Sequence, residues 1–212
     1  MRSMQNHIHV VNHPIVSDRL ARMRSADTPC PDFKRLVHEV SLFIGYEASR
    51  DTALRDAKTK TPLEETDVKR IGEDVCIVPI LRAGMGMLDA MLAIFPEARV
   101  GHLGMYRDHK TLQPVEYYCN LPEDLSTTSV YIIDPMLATG GSAVAAVDAV
   151  KKRGAKRIKS VNIFGAPAGL EALSKAHPDV EIYLCALDRC LNENGYILPG
   201  VGDAGDRIFG TL

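Results

Sequence analysis

With 212 residues, 46% of them hydrophobic and 25% charged, the chain has apolar material for one well-cored domain and too little length for two of ordinary size. Its net charge of −2, with both signs mixed, argues against a non-specific nucleic-acid binder, which carries a basic excess. Five cysteines (Cys30, Cys76, Cys119, Cys185, Cys190) without a CxxC read as reduced thiols; with no basic-then-apolar leader and no apolar run of membrane-spanning length, the expected location is the cytoplasm, with no membrane partner.

In chain order, residues 1–15 alternate weakly and are expected to form a lead-in strand; His7 and His9 lack the carboxylate or thiol companions a metal site needs. From Asp32, the spacing of Phe33, Leu36, Val37, Val40, Phe43 and Ile44 predicts an amphipathic helix with its stripe in the core. Residues 55–74 are polar and hold no clear period, though "TKTPL" favours an extended form. "VCIVPIL" (75–81) is a continuous apolar strand, "RAGMG" a loop, and "GMLDAMLAIF" a helix closed by Pro96. "ARVGHLGMYR" (98–107) is a further strand; across a polar tip, "DHKTLQP", it meets "VEYYCN" (115–120) as an extended hairpin arm.

The final third alternates strand and helix: "VYIID" (130–134), "SAVAAVDAVKKRG", "IKSVNIFGA", "PAGLEALSKAHP" and "VEIYLCAL". Buried strands separated by helices of this length predict an α/β protein whose open parallel sheet is covered by helices on both faces. Residues 189–212, rich in Gly and Asp, are expected to form a loop-built lobe at the sheet edge. The expected organisation is one domain over 1–212, with a core over about 30–188, an arm over about 103–120 and a lobe over about 189–212.

Ligands of open parallel sheets sit where strands end and helices begin. Asp134 stands at such a place, followed by "PMLATGGS". Gly140 and Gly141 let the backbone curl and turn its N–H groups inward, Thr139 and Ser142 add hydroxyls, and the helix beyond contributes the positive end of its dipole. Such a loop is a seat for a phosphate dianion; the Asp134 carboxylate beside it suits ribose hydroxyls or a cation shared with the phosphate.

"VYIIDPMLATGGS" resembles the phosphoribosyl-pyrophosphate signature of the type I phosphoribosyltransferases, and specifically that of the uracil phosphoribosyltransferase family. "VPILRAGMGM" (78–87), "YRDHKTLQPVEYY" (106–118) and "GYILPGVGDAGDR" (195–207) resemble the same family in order and spacing, so the likeness covers nearly the whole chain. Most type I members carry two adjacent acids at the strand end; here Asp134 is followed by Pro135, a departure the uracil-specific branch shares. His109 and Lys110 stand in the arm where acids are expected, which bears on loop behaviour and pH response.

The resemblance implies transfer of the 5-phosphoribosyl group from phosphoribosyl pyrophosphate to N1 of uracil, giving uridine monophosphate and pyrophosphate, a step of pyrimidine salvage. It assigns Arg82, Arg107, the run Asp134, Pro135, Met136, Leu137, Ala138, Thr139, Gly140, Gly141 and Ser142, and Asp203 to phosphoribosyl pyrophosphate. It assigns Ile197, Gly202, Asp203 and Ala204 to uracil, with Tyr196, Met136 and Ala138 as walls. Arg82, Asp134 and Asp203 are the residues expected to carry catalysis, and the group that accepts the N1 proton stays unassigned. Magnesium is implied through the pyrophosphate, with ligand oxygens and water filling its shell and no dedicated protein cage. A strained or cis peptide is expected beside Arg82-Ala83. Subunits of the family pair through core and arm, so a homo-oligomer is expected, dimer or tetramer; GTP is left open as an effector.

Three rival readings find less support in the sequence. An RNA-binding regulator on the same fold needs a basic face, and Lys151–Arg153 with Lys156–Lys159 more simply complete a helix end and a strand start. A dinucleotide site fails at "GMGMLD", where Asp89 takes the place of the third glycine. A purine phosphoribosyltransferase is opposed by the C-terminal segment "YILPGVGDAGD" alone.

Overall fold

The computed structural model describes residues 7–107 and 114–211. Strand β1 (Ile8–Val10) is short and leads into helix α1 (Pro14–Arg24). Helix α2 (Cys30–Ala48) is the amphipathic segment expected from its stripe, and Phe33, Leu36, Val37, Val40 and Ile44 are all buried, while Phe43 packs at its margin. Strands β2 (Leu54–Lys60) and β3 (Glu65–Ile71) form an antiparallel hairpin of their own. Strand β4 (Asp74–Leu81) and helix α3 (Met85–Ile94) follow, then β5 (Arg99–Val100) and β6 (His102–Arg107), which divide the single strand expected over 98–107. Strand β7 (Pro114–Asn120) pairs antiparallel with β6, as an arm requires; the polar tip with His109 and Lys110 lies outside the described residues.

Beyond the arm come β8 (Thr128–Ile133), the two-residue β9 (Met136–Leu137), α4 (Gly141–Lys152), β10 (Arg157–Gly165), α5 (Pro167–Ala176) and β11 (Glu181–Leu187). Among the described residues one sheet runs β1-β11-β10-β8-β4-β6-β7, parallel except at the β6–β7 arm. Its central strands are buried on both faces and mostly apolar, with Thr128 and Ser129 in β8 and Lys159, Ser160 and Asn162 in β10 as the buried polar exceptions. Alternate residues serve two separate cores. Val75 and Ile77 of β4, Tyr131 and Ile133 of β8, and Tyr183 and Cys185 of β11 pack beneath α1, α2 and α3. Their neighbours Cys76, Val78, Val130, Ile132, Ile182 and Leu184 pack beneath α4 and α5. The period of two along a strand is what divides them. No described helix is long and apolar enough to cross a membrane.

Three segments differ from expectation. Helix α1 has only Val16, Leu20 and Met23 buried, a stripe too sparse to stand out, and it begins at Pro14 with the His13 ring accepting the Ile15 N–H. In β2 and β3 only Ala57 and Val68 are even partly buried, so the hairpin carries no apolar alternation to read. The C-terminal segment is more ordered than a loop-built lobe: β12 (Cys190–Leu191) pairs antiparallel with β13 (Ile197–Leu198), and Asp203 caps a short helix, α6 (Ala204–Phe209). Six residues are too few to show a helical period, but Ile208 buries itself in the core under α2 and fixes the helix there.

Candidate active site

Strand β8 ends at Ile133, and the next four residues are laced to the end of β10. The Asp134 carbonyl accepts from the Asn162 amide at 2.7 Å, and the Asp134 N–H donates to the Val161 carbonyl at 3.2 Å. The Pro135 carbonyl accepts from both Ile163 and Phe164 N–H groups, and β9 pairs with β10 at Phe164 and Gly165. Pro135, which donates no N–H, therefore still contributes two bonds as an acceptor. The chain then turns at Gly140, whose φ of +84° places it in the left-handed region, and α4 begins. A Cβ at Gly140 would stand 2.8 Å from the Gly169 carbonyl, so no side chain fits. No side chain caps α4, which leaves its first N–H groups and its dipole available to an anion.

The loop after β4 arrives beside this one because β4 and β8 are parallel neighbours, with Pro79 opposite Ile133. The Leu81–Arg82 peptide is cis, as expected for this place, and the Met85 N–H closes back on the Arg82 carbonyl to start α3. The Arg82 side chain extends to the C-terminal lobe, where its Nη2 donates to Asp206 Oδ1 at 2.9 Å.

Between these loops and the lobe lies a cavity of about 230 Å³. Asp134, Met136 and Ala138 line it from the signature loop. Tyr196, Ile197, Gly202, Asp203 and Ala204 line it from the lobe, joined by Ala83, Gly195 and Gly205. The structure thus brings together all five residues expected at the base and four of those expected at phosphoribosyl pyrophosphate, Asp203 belonging to both sets. Thr139, Gly140, Gly141 and Ser142 lie just beyond, at the start of α4. Leu137 is buried in the core under α4, and its carbonyl accepts from the Ala166 N–H, so its side chain faces away from the cavity. Arg107 ends β6; its side chain lies outside the described residues. A larger cavity, about 1020 Å³, lies at the opposite ends of β4 and β5 and contains none of the residues singled out from the sequence.

Two carboxylates give the cavity its electrostatics. Burial pushes the Asp134 carboxyl up to about 7; the Met136 N–H pulls it down, and the Asp203 carboxylate pushes it up again. Asp203 itself accepts from the Asp206 N–H at 2.9 Å, so it is both a cavity wall and a helix cap. The Thr211 hydroxyl and Arg82 hold Asp206 below the usual carboxylate range. Residues that sequence reasoning missed include Asp206, although it stands within the quoted "GDAGDR", and Arg24, Asp188 and Arg207, which hold the lobe from behind. No motif marks Arg24 or Asp188, and Arg207, though it closes the same quoted stretch, takes partners at Met23 and Ser25 from the far end of the chain.

The match of this chain to the family model for uracil phosphoribosyltransferase spans residues 10–211. A uracil phosphoribosyltransferase of Streptococcus pneumoniae is 54% identical over 205 residues, covering 96% of this chain and 98% of that protein. One of Streptococcus salivarius is 53% identical over 203 residues, covering 95% and 97%. A solved structure of a protein from Aquifex aeolicus superposes with a TM-score of 0.92 at 36% identity, covering 95% of this chain and 97% of that one. With the signature loop and the main-chain lobe meeting at one cavity, and with likeness to these relatives over nearly the full length, the chain belongs to the uracil phosphoribosyltransferase family.

Proposed function

We propose that the chain catalyses transfer of the 5-phosphoribosyl group from phosphoribosyl pyrophosphate to N1 of uracil, giving uridine monophosphate and pyrophosphate. The observation that carries this reading is the cavity in which the acid-ended anion loop faces a lobe of main chain with few side chains. One half suits a phosphorylated sugar and the other a small planar base, and the two halves touch at Asp134 and Asp203.

The 5′-phosphate takes the N-terminus of α4, where N–H groups from Thr139 to Ser142 are the donors, and Asp134 accepts from ribose hydroxyls. Bond breaking at C1 of the sugar leaves positive charge on the ring and growing negative charge on the pyrophosphate. Cations fixed at the leaving group therefore act more strongly in the transition state than in the ground state. Arg82 and Arg107 have that role, and Arg82 exchanges its Asp206 partner for pyrophosphate oxygens when the substrate arrives. Uracil presents one N–H donor and two carbonyls, an edge that main-chain groups of Ile197, Gly202 and Ala204 match without a charged side chain. Tyr196, Met136 and Ala138 enclose the ring.

Magnesium accompanies pyrophosphate in this reading. Its shell would come from ligand oxygens and water, and Asp203, a carboxylate on the cavity wall, would be the protein group to hold it. Such an ion neutralises charge on the leaving group. The working form is a homo-oligomer whose subunits meet through core and arm.

The test is release of pyrophosphate from phosphoribosyl pyrophosphate with magnesium present, with and without uracil. Uracil-dependent release with uridine monophosphate as co-product supports the reading, and failure to release pyrophosphate with uracil overturns it.

A further inference from the structure

The segment that faces the base is held from behind by two arginines that do not line the cavity. Arg24, the last residue of α1, grips Asp188 with both arms of its guanidinium, Nη1 to Oδ2 at 2.8 Å and Nη2 to Oδ1 at 2.6 Å. The same Nη1 donates to the Gly200 carbonyl at 3.0 Å, and Asp188 Oδ2 accepts the Gly200 N–H at 2.9 Å. Both main-chain groups of Gly200 are therefore committed to one ion pair. That pair is enclosed: the Asp188 side chain is 5% exposed, and the Arg24 guanidinium lies 4.7 Å from the centre of the Phe164 ring.

Arg207 holds the next residue. Its Nη1 donates to the Val201 carbonyl at 2.8 Å and to the Met23 carbonyl at 2.7 Å, and its Nη2 donates to the Ser25 carbonyl at 2.7 Å. The C-terminal turn of α1 is thus the fixed point for both. Gly202, one residue further on, has a φ of +77° and open space where a Cβ would stand, and it lines the cavity.

We propose that Arg24, through Asp188, is a positioning residue for base recognition. It sets the place and tilt of the Gly200 peptide groups, and so the register at which residues 202–204 present their main chain to the base. This inference rests on the reading of the cavity as a uracil pocket. A planar five-donor fork performs this task and an ammonium does not, since only the fork reaches both carboxylate oxygens and a carbonyl in one plane.

A mere staple between α1 and the lobe has a different signature. Losing a staple lowers the fraction of folded enzyme, which reduces apparent kcat and leaves both KM values in place. Losing a positioning device raises KM for uracil and relaxes the choice of base, while KM for phosphoribosyl pyrophosphate stays.

The experiment uses the full chain as wild type, Arg24→Ala, Arg24→Lys and Asp188→Asn, with uracil and phosphoribosyl pyrophosphate varied separately and cytosine as the comparison base. For Arg24→Ala, KM for uracil is expected to rise about tenfold or more and the uracil-over-cytosine preference to fall by a similar factor, with KM for phosphoribosyl pyrophosphate within about twofold. Arg24→Lys and Asp188→Asn are expected to shift the same two quantities part of the way, and they carry the test if Arg24→Ala does not fold. A fall in kcat alone, or a parallel rise of both KM values, overturns the proposal. Absence of uracil turnover in the wild type removes the pocket reading itself, and the positioning role falls with it.

Discussion

Arg82 and Asp206, separated by 124 residues in sequence, meet at 2.9 Å and join the loop after β4 to helix α6. The Thr211 hydroxyl also donates to the shared Asp206 oxygen, at 2.6 Å. The arginine that should bind pyrophosphate is therefore held over the cavity by a carboxylate that an anionic ligand can replace. Its side chain is 57% exposed, and an ion pair so open to water adds little to folding. Arg82→Ala should consequently separate rate from stability. Its kcat/KM for uracil-dependent pyrophosphate release is expected to fall by about 10²–10³, the loss typical of removing one transition-state donor, while its thermal midpoint stays close to that of the wild type. Kinetics and calorimetry on one preparation check both, and a large drop in midpoint would show that the pair is structural.

Asp134 makes stability depend on pH in an unusual direction. Burial raises its carboxyl from an ordinary 3.8 to about 7. Between those values the unfolded chain has released this proton and the folded one has not, so folding binds a proton and the contribution weakens as pH rises. The cost is absent below about pH 4, grows through the interval to 7 and is constant above it. Asp134→Asn removes the titration. Its thermal midpoint is expected to match the wild type near pH 4 and to exceed it by several degrees at pH 8, even as activity is lost. Parallel melting curves for the two proteins across that range would reject the assignment.

Gly140 permits a sharper test of the anion seat. It combines a left-handed φ with a carbonyl 2.8 Å from where a Cβ would be, so Gly140→Ala must move the start of α4 away from α5. The conformation alone costs about 1–2 kcal/mol for an L-residue, which corresponds to a fall in midpoint of roughly 2–8 °C for a chain of this size. Because the displaced groups are the proposed phosphate donors, KM for phosphoribosyl pyrophosphate should rise more than KM for uracil. Equal changes in both would mean that the helix start is not where the phosphate binds.

The parts of this architecture that could be read in the sequence are those where one segment carries its own signal. Strands β4, β8, β10 and β11 each hold a run of apolar residues that reaches both faces, and the anion loop announces itself by an acid, two glycines and a helix in sequence. The hairpin of β2 and β3 is illegible because almost nothing in it is buried, and α1 because its stripe is only three residues long. At the cavity, residues that line it belong to recognisable stretches, whereas the bracing role of Arg24, Asp188 and Arg207 shows in no single stretch. Arg24 lies 164 residues from Asp188 and Arg207 lies 184 from Met23, so their meaning exists only after the sheet has brought the ends of the chain together.

The base pocket itself makes the last prediction. The cavity of about 230 Å³ is walled by Ile197, Tyr196 and the backbone at 202–204, and the polar partners it offers a base are main-chain groups with fixed roles as donor or acceptor. Cytosine, which carries an amino group where uracil has a carbonyl and an unprotonated ring nitrogen where uracil has N–H, meets two mismatched partners. Each unpaired buried group costs about 1–3 kcal/mol, so discrimination of about tenfold to a hundredfold per contact is expected. Hypoxanthine carries one carbonyl beside its ring N–H where uracil carries two, so it leaves a main-chain donor unpaired. Competition assays with the three bases at equal concentration should therefore yield uridine monophosphate almost alone. Turnover of hypoxanthine comparable to uracil would mean that the main-chain groups of the lobe do not read the edge of the base, and that the family's choice of base is made elsewhere.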